Sequence, residues 1–317
     1  MAKKKSPSTP RIKLSQLRTL VAICDNDLNV TAAAQQLNIA QPSMSKKLST
    51  LEQAIGKSLF YRNGKRFQYE TDLCREVSKL AREILLKCDN LLMLGETFDQ
   101  TTISGELSIG TTHTQARYVL PQVLEKFRKD YPDVVISIRQ GAPVELVRML
   151  NSNQLDFVIC TEALETNTNF RTMTSFNWNR CLLLPPTHPL VKVRKITLTA
   201  LAKYPLVTYT QGFAGRPAFD NTFSTAGIIP KIMVSATDAD VIKTYVRLGF
   251  GIGVVAEMAY DAKKDADLVM RPLEALFPAM QVRLAYQREK FISASMQRFI
   301  ELFCQIADKP DKPLTND

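Results

Sequence analysis

The chain has 317 residues, 45% of them hydrophobic and 23% charged, the make-up of a globular protein with room for two or three domains. No apolar run approaches the roughly 18 to 20 residues that a membrane span needs, and the basic start, Met1 to Pro7, leads into no apolar segment of a secretory signal. Of the formal net charge of +10, an excess of nine lies within residues 1–66, where twelve Lys and Arg face three acids. A basic module on a near-neutral body implies a polyanionic partner for the module, and nucleic acid fits it best.

Residues 1–13 read as a basic N-terminal arm. From there, Leu14, Leu17, Leu20, Val21 and Cys24 keep the rhythm of an amphipathic helix. Asn29 is placed to cap a second helix through Thr31 to Leu37, and Asn38-Ile39-Ala40 is a tight link. Gln41-Pro42 opens a third helix, where the missing N–H of proline costs nothing, and Gly56 ends it. This spacing predicts a helix-turn-helix whose second helix enters the major groove. Gln41, Pro42, Ser43, Ser45, Lys46 and Ser49 avoid its Met44/Leu48/Leu51 core face and are the candidate DNA contacts. Asn63-Gly64 reads as a hairpin turn, flanked by Arg62, Lys65 and Arg66, the basic wing of a winged domain over 14–70.

Residues 71–101 read as a linker helix. Cys74, Val77, Ala81, Ile84, Cys88 and Leu91 fall at alternating steps of three and four, a heptad seam that points to dimerisation in preference to packing on the helix's own domain, since one helix-turn-helix alone makes few base contacts. Beyond it, strands at Leu107–Ile109, Val134–Ile138 and Phe157–Cys160 alternate with helices over Ala116 to about Lys129 and Val144 to Leu150. That pattern predicts an α/β body with mostly parallel sheets, which bind ligands beyond the carboxyl ends of their strands. Polar clusters stand at those ends: Thr111, Thr112, Thr114 and Gln115, then Thr161, then Thr208 and Thr210 with Arg216 following. A single threonine there is an ordinary helix cap. Several at corresponding ends suit an oxyanion. Trp178, the one tryptophan, fits either a cleft wall or the core.

The six cysteines are scattered without a Cys-x-x-Cys pair, so a disulfide framework or cysteine-rich zinc site is not expected. With two histidines, His113 and His188, and no phosphate-binding or nucleophile motif, we expect no catalytic residues, no metal and no cofactor. His113 reads as a local hydrogen-bonding residue.

The runs Asn29–Leu37, Gln41–Lys46 and Leu51–Phe60 resemble LysR-type transcriptional regulators, and the likeness extends over nearly the whole chain. Within that family the second half resembles the CysB/Cbl branch, on Thr111–Tyr118, Thr161–Leu164, Trp178-Asn179-Arg180, Tyr204–Thr210 and Ala236–Gly249. Three departures stand out. Ala40 replaces a capping hydroxyl, Cys74 replaces the glycine that opens the linker helix, and Ala214 replaces a threonine that contacts sulfate in the branch.

The resemblance implies a periplasmic-binding-protein-like effector domain over 102–317, with one subdomain at about 102–175 plus 281–307 and the other at about 176–280. It places Trp178 in the cleft. It further implies a cytoplasmic homotetramer that binds double-stranded promoter DNA, meets RNA polymerase and activates sulfur-assimilation or cysteine-synthesis genes. Its effector would be sulfate, thiosulfate, adenylyl sulfate or an O- or N-acetylserine. A LysR-type regulator of another pathway is the alternative. A solute-binding protein would leave the basic module idle, and an enzyme would need a nucleophile–base pair that two isolated histidines do not offer.

Overall fold

A computed structural model describes residues 11–64, 66–97, 105–161, 164, 169–213 and 215–305. The chain falls into two compact units. The first contains α1 (Leu14–Asp25), α2 (Val30–Gln36), α3 (Gln41–Ile55), the strands β1 (Phe60–Asn63) and β2 (Arg66–Glu70), and α4 (Asp72–Thr97).

Local chemistry explains its helix ends. The Asn29 side chain accepts hydrogen bonds from the Thr31 and Ala32 N–H groups, Pro42 sits in the first turn of α3, and Gly56 ends α3 in the left-handed conformation. Ala40 holds the cap position of α3 with no side chain to serve it. Leu20, Ile23, Met44, Leu48, Leu51 and Leu59 form the core between these helices and the hairpin. Two expectations shift here. Asn63 pairs with Arg66, so Asn63 belongs to β1 and not to the turn that the Asn-Gly pair implied. The linker seam also divides. Cys74, Val77 and Ala81 pack into the core of their own unit, because α1 lies along the first turns of α4, while Ile84 and Leu91 stay exposed.

The second unit continues in chain order with β3 (Gly105–Thr111), α5 (His113–Tyr118), α6 (Leu120–Asp130), β4 (Val134–Gln140), α7 (Pro143–Asn151) and β5 (Phe157–Cys160). Then come β6 (Phe170–Trp178), β7 (Arg180–Leu184), α8 (Leu198–Ala202), β8 (Leu206–Tyr209), α9 (Arg216–Thr225) and β9 (Ile232–Ala236). The last elements are α10 (Ala239–Arg247), β10 (Ile252–Ala256), β11 (Val269–Pro272), β12 (Met280–Gln287) and α11 (Ala294–Cys304).

They build two five-stranded sheets, ordered β4-β3-β5-β12-β6 and β11-β7-β10-β8-β9. In each, three strands run parallel (β4-β3-β5 and β9-β8-β10) and the rest pair antiparallel. The chain passes from one sheet to the other between Trp178 and Arg180, and returns through β12. The single helix expected over Ala116–Lys129 is two, because Pro121 in the first turn of α6 offers no N–H to continue α5. Phe127, Phe157, Phe299 and Phe303 stack through the core of the first sheet, and Phe219, Phe223 and Phe277 through that of the second.

Candidate functional site

In the first unit, the apolar positions of α3 face inward, which leaves Gln41, Pro42, Ser43, Ser45, Lys46 and Ser49 exposed. These side chains are free to meet base edges and phosphates. Arg62 is exposed too, but it is not loose. It donates to Glu52 of α3 at 2.7 Å and lies over the Phe67 ring, while the other Glu52 oxygen accepts the Leu59 N–H at 2.9 Å. Arg62 therefore ties the hairpin to the helix as well as carrying charge. Arg66 is exposed. Lys65 and the arm through residue 10 lie outside the described residues.

The second candidate site is the cleft between the two sheets. Thr111 ends β3 and donates its hydroxyl to the Ile159 carbonyl at 2.9 Å. Thr111 pairs with Ile159, so Thr112 follows just past the point where β3 and β5 end side by side. Thr112 occupies the cap position of α5, but its hydroxyl makes no capping bond. The cap reading fails for this threonine. The helix itself spans only six residues, so its dipole offers an anion little. Thr112, Thr114, Gln115 and Thr161 are all buried, and Gln115 Oε1 has no hydrogen-bond partner among the described residues. The Trp178 indole N–H donates to Thr161 Oγ1 at 3.3 Å, which directs the hydroxyl proton of Thr161 elsewhere.

Across the cleft, Thr114 hydrogen-bonds the Tyr209 hydroxyl, which also accepts the Ala256 N–H at 3.2 Å. Burial pushes the Tyr209 hydroxyl up to about 12, so it stays protonated. Thr208 is buried and donates to the Val254 carbonyl at 2.9 Å, while Thr210 lies partly exposed at the end of β8. Arg216 is buried and turned inward: Nε donates to Asp220 at 2.7 Å and Nη1 to the Tyr209 carbonyl at 2.5 Å. Ala214 lies outside the described residues.

Sequence reasoning did not select Arg180 or Tyr209. Arg180 is buried at the start of β7, donates to the Gly215 carbonyl at 2.6 Å and lies over the Trp178 and Phe277 rings. Gly215 has φ +69°, and a Cβ there would meet Arg180 Nη2 at 2.3 Å, so only glycine lets this cation sit where it does. The signal was faint: an arginine beside the one tryptophan, read as part of a resemblance and not as a wall of the cleft.

A charged latch also joins the two halves. Asp240 of α10 accepts from Tyr118 of α5 at 2.9 Å, pairs with Arg117 and binds Lys243 at 2.8 Å. Burial works against the Asp240 charge, but hydrogen bonds from Lys243 and Tyr118 outweigh it and hold the carboxyl below its ordinary range.

A model of the LysR substrate binding domain matches residues 100–306, and a model of bacterial regulatory helix-turn-helix proteins of the lysR family matches residues 14–71. The chain belongs to the LysR family. It is a DNA-binding transcriptional regulator. It is 42% identical to the HTH-type transcriptional regulator CysB of Haemophilus influenzae over 92% of this chain and 90% of the relative. It is 39% identical to SsuR of Burkholderia cenocepacia, over 92% and 94% of the two chains. The crystal structure of the cofactor-binding domain of the Cbl transcriptional regulator matches with a TM-score of 0.62 at 40% identity, covering 65% of this chain and 90% of that one. Among the described residues, no helix is long and apolar enough to cross a membrane.

Proposed function

We propose that this LysR-family regulator controls sulfur-assimilation or cysteine-synthesis genes, and that a small anionic or acylated-serine effector in the cleft governs its action on promoter DNA. The single observation that carries the cleft assignment is the set of buried donors on the first sheet. Thr112, Thr114, Gln115 and Thr161 are all buried, Thr161 meets the Trp178 indole, and the Thr112 hydroxyl serves no helix cap. Buried polar groups are costly unless something satisfies them, and a tetrahedral oxyanion or a carboxylate accepts several such donors at once. The likeness to CysB, SsuR and Cbl supports sulfur compounds as the ligands.

The protein works in the cytoplasm as a homo-oligomer, a tetramer built from dimers, and activates transcription through RNA polymerase. The exposed Leu80, Ile84 and Leu91 of α4 support pairing of two copies along that helix. It binds and does not catalyse. His188 serves structure, accepting the Leu190 N–H, and His113 lies against the Phe213 ring, its centroid 6.5 Å away. Calorimetric titration of the full chain with sulfate, thiosulfate, adenylyl sulfate, O-acetylserine and N-acetylserine tests the reading. At least one should bind and change retention of a promoter fragment. Silence from all five, with promoter binding intact, would move the protein to another pathway.

A further inference from the structure

Three side chains that the DNA-binding and effector roles leave unused meet in the first unit. Cys24 lies one residue from the end of α1, Glu70 is the last residue of β2, and Cys74 is the third residue of α4. Their ligand atoms all lie within 4.8 Å of one another, and the two sulfurs are 4.0 Å apart. Cys74 is fully buried, whereas Cys24 and Glu70 are partly exposed.

A carboxylate against two thiols is an odd way to fill a core. The Cys24 thiol is pushed well above its ordinary range by its hydrogen bond to Cys74, by burial and by the negative charge of Glu70. Each of these effects disfavours an anion, and a bound cation would reverse them. The sulfur separation indicates what kind. Two thiolates about 2.3 Å from a tetrahedral zinc lie roughly 3.8 Å apart. A disulfide would bring them to about 2.0 Å. The observed 4.0 Å sits beside the first value.

We infer that Cys24, Glu70 and Cys74 form a three-ligand site for a thiophilic divalent cation of the zinc class, with water as the fourth ligand. Sulfur excludes magnesium and calcium as its ions. Nearby polar groups are already engaged: Thr71 donates to the Leu59 carbonyl and accepts the Cys74 N–H, and Asp25 pairs with Arg82 at 2.6 Å. Water is left for the fourth position, and the exposed edges of Cys24 and Glu70 give it a path. On binding, both thiols lose their protons to solvent and Glu70 enters as the carboxylate, so two protons leave per ion. The ion would pin the end of the first helix, the hairpin and the start of the linker helix together.

The test uses the full chain, kept reduced by a phosphine and stripped with a chelator, with cobalt(II) as the probe. A sulfur-to-cobalt charge-transfer band should grow to one ion per chain, bleach with zinc and ignore magnesium. Cys24→Ser and Cys74→Ser should each lose most of the band, and Cys88→Ser should keep it. Glu70→Gln retains both sulfurs and should weaken binding by more than the roughly tenfold that loss of an outer-shell partner costs. If Cys74→Ser does not fold, judged by circular dichroism, the partly exposed Cys24→Ser decides. Absence of the band, or a band that survives Cys24→Ser, would overturn the site. So would a Cys24–Cys74 crosslink on oxidation in a chain that takes up no metal.

Discussion

The two sheets of the effector-binding unit finish their central strands alike and then diverge. Thr111 donates across to the Ile159 carbonyl of β5, and Thr208 donates across to the Val254 carbonyl of β10, each at 2.9 Å. The first sheet passes directly into Thr112, Thr114 and Gln115. The second passes into a loop and then α9, where Arg216 turns back onto Asp220 and the Tyr209 carbonyl. In α10, all three donors of Lys243 are taken, by Asp240, Asp265 and the Ala259 carbonyl. Similar strand-end chemistry thus serves two ends. A polar group satisfied within its own subdomain is scaffold, and one left open is available for recognition.

The largest expected effect concerns scaffold. Lys243→Met removes the cation from a buried pair and leaves Asp265, also buried, with Arg247 and the Asp261 N–H. Loss of one partner of a buried pair costs about 3–5 kcal/mol, and the surviving Arg247 contact places this variant at the lower end. Urea unfolding measures it. A loss below about 1 kcal/mol would mean that the second sheet does not depend on its internal charges.

The second test separates the two kinds of threonine. Thr112→Val should weaken effector binding by about 1.5–3 kcal/mol, as for a bond to a charged group, and leave unfolding nearly unchanged. Thr208→Val should do the reverse, costing about 1 kcal/mol of stability with little change in affinity. Paired calorimetry and urea unfolding distinguish them. If both variants lose affinity equally, the contrast between the walls fails and Thr208 rejoins the site.

Much of the first unit was legible because its signals are local. The Asn29 cap, Pro42 and the Gly56 stop act within one turn, and the inward face of α3 follows from spacing alone. The linker seam misled because a heptad pattern does not say whether another helix of the same chain already covers it, and α1 covers its first turns. In the cleft, the threonines of the first sheet were visible as strand ends. What each hydroxyl touches was not, since the carbonyl partner of Thr208 lies 46 residues away. Arg180 and Tyr209 escaped for the same reason: their roles arise from Gly215, Ala256 and Thr114, brought near by the crossover between sheets.

The smallest expected effect bears on the latch where the two halves meet. Asp240 is held below its ordinary value of 3.8 although burial opposes its charge. A carboxyl depressed in the folded state contributes stability that is complete above its unfolded value and is lost as pH falls through the folded one. Its contribution should therefore be flat from about pH 5 to 8 and fade below about pH 4. Burial and the bond to Asp240 hold the Tyr118 hydroxyl above its ordinary range, so the tyrosine remains a donor throughout. Asp240 is one-third exposed, so solvent screening keeps the difference between wild type and Asp240→Asn below about 1 kcal/mol. Unfolding free energies of both proteins across this range provide the check. A difference that persisted undiminished at pH 3 would show that Asp240 acts without its charge, and that the halves are joined by packing instead of by the latch.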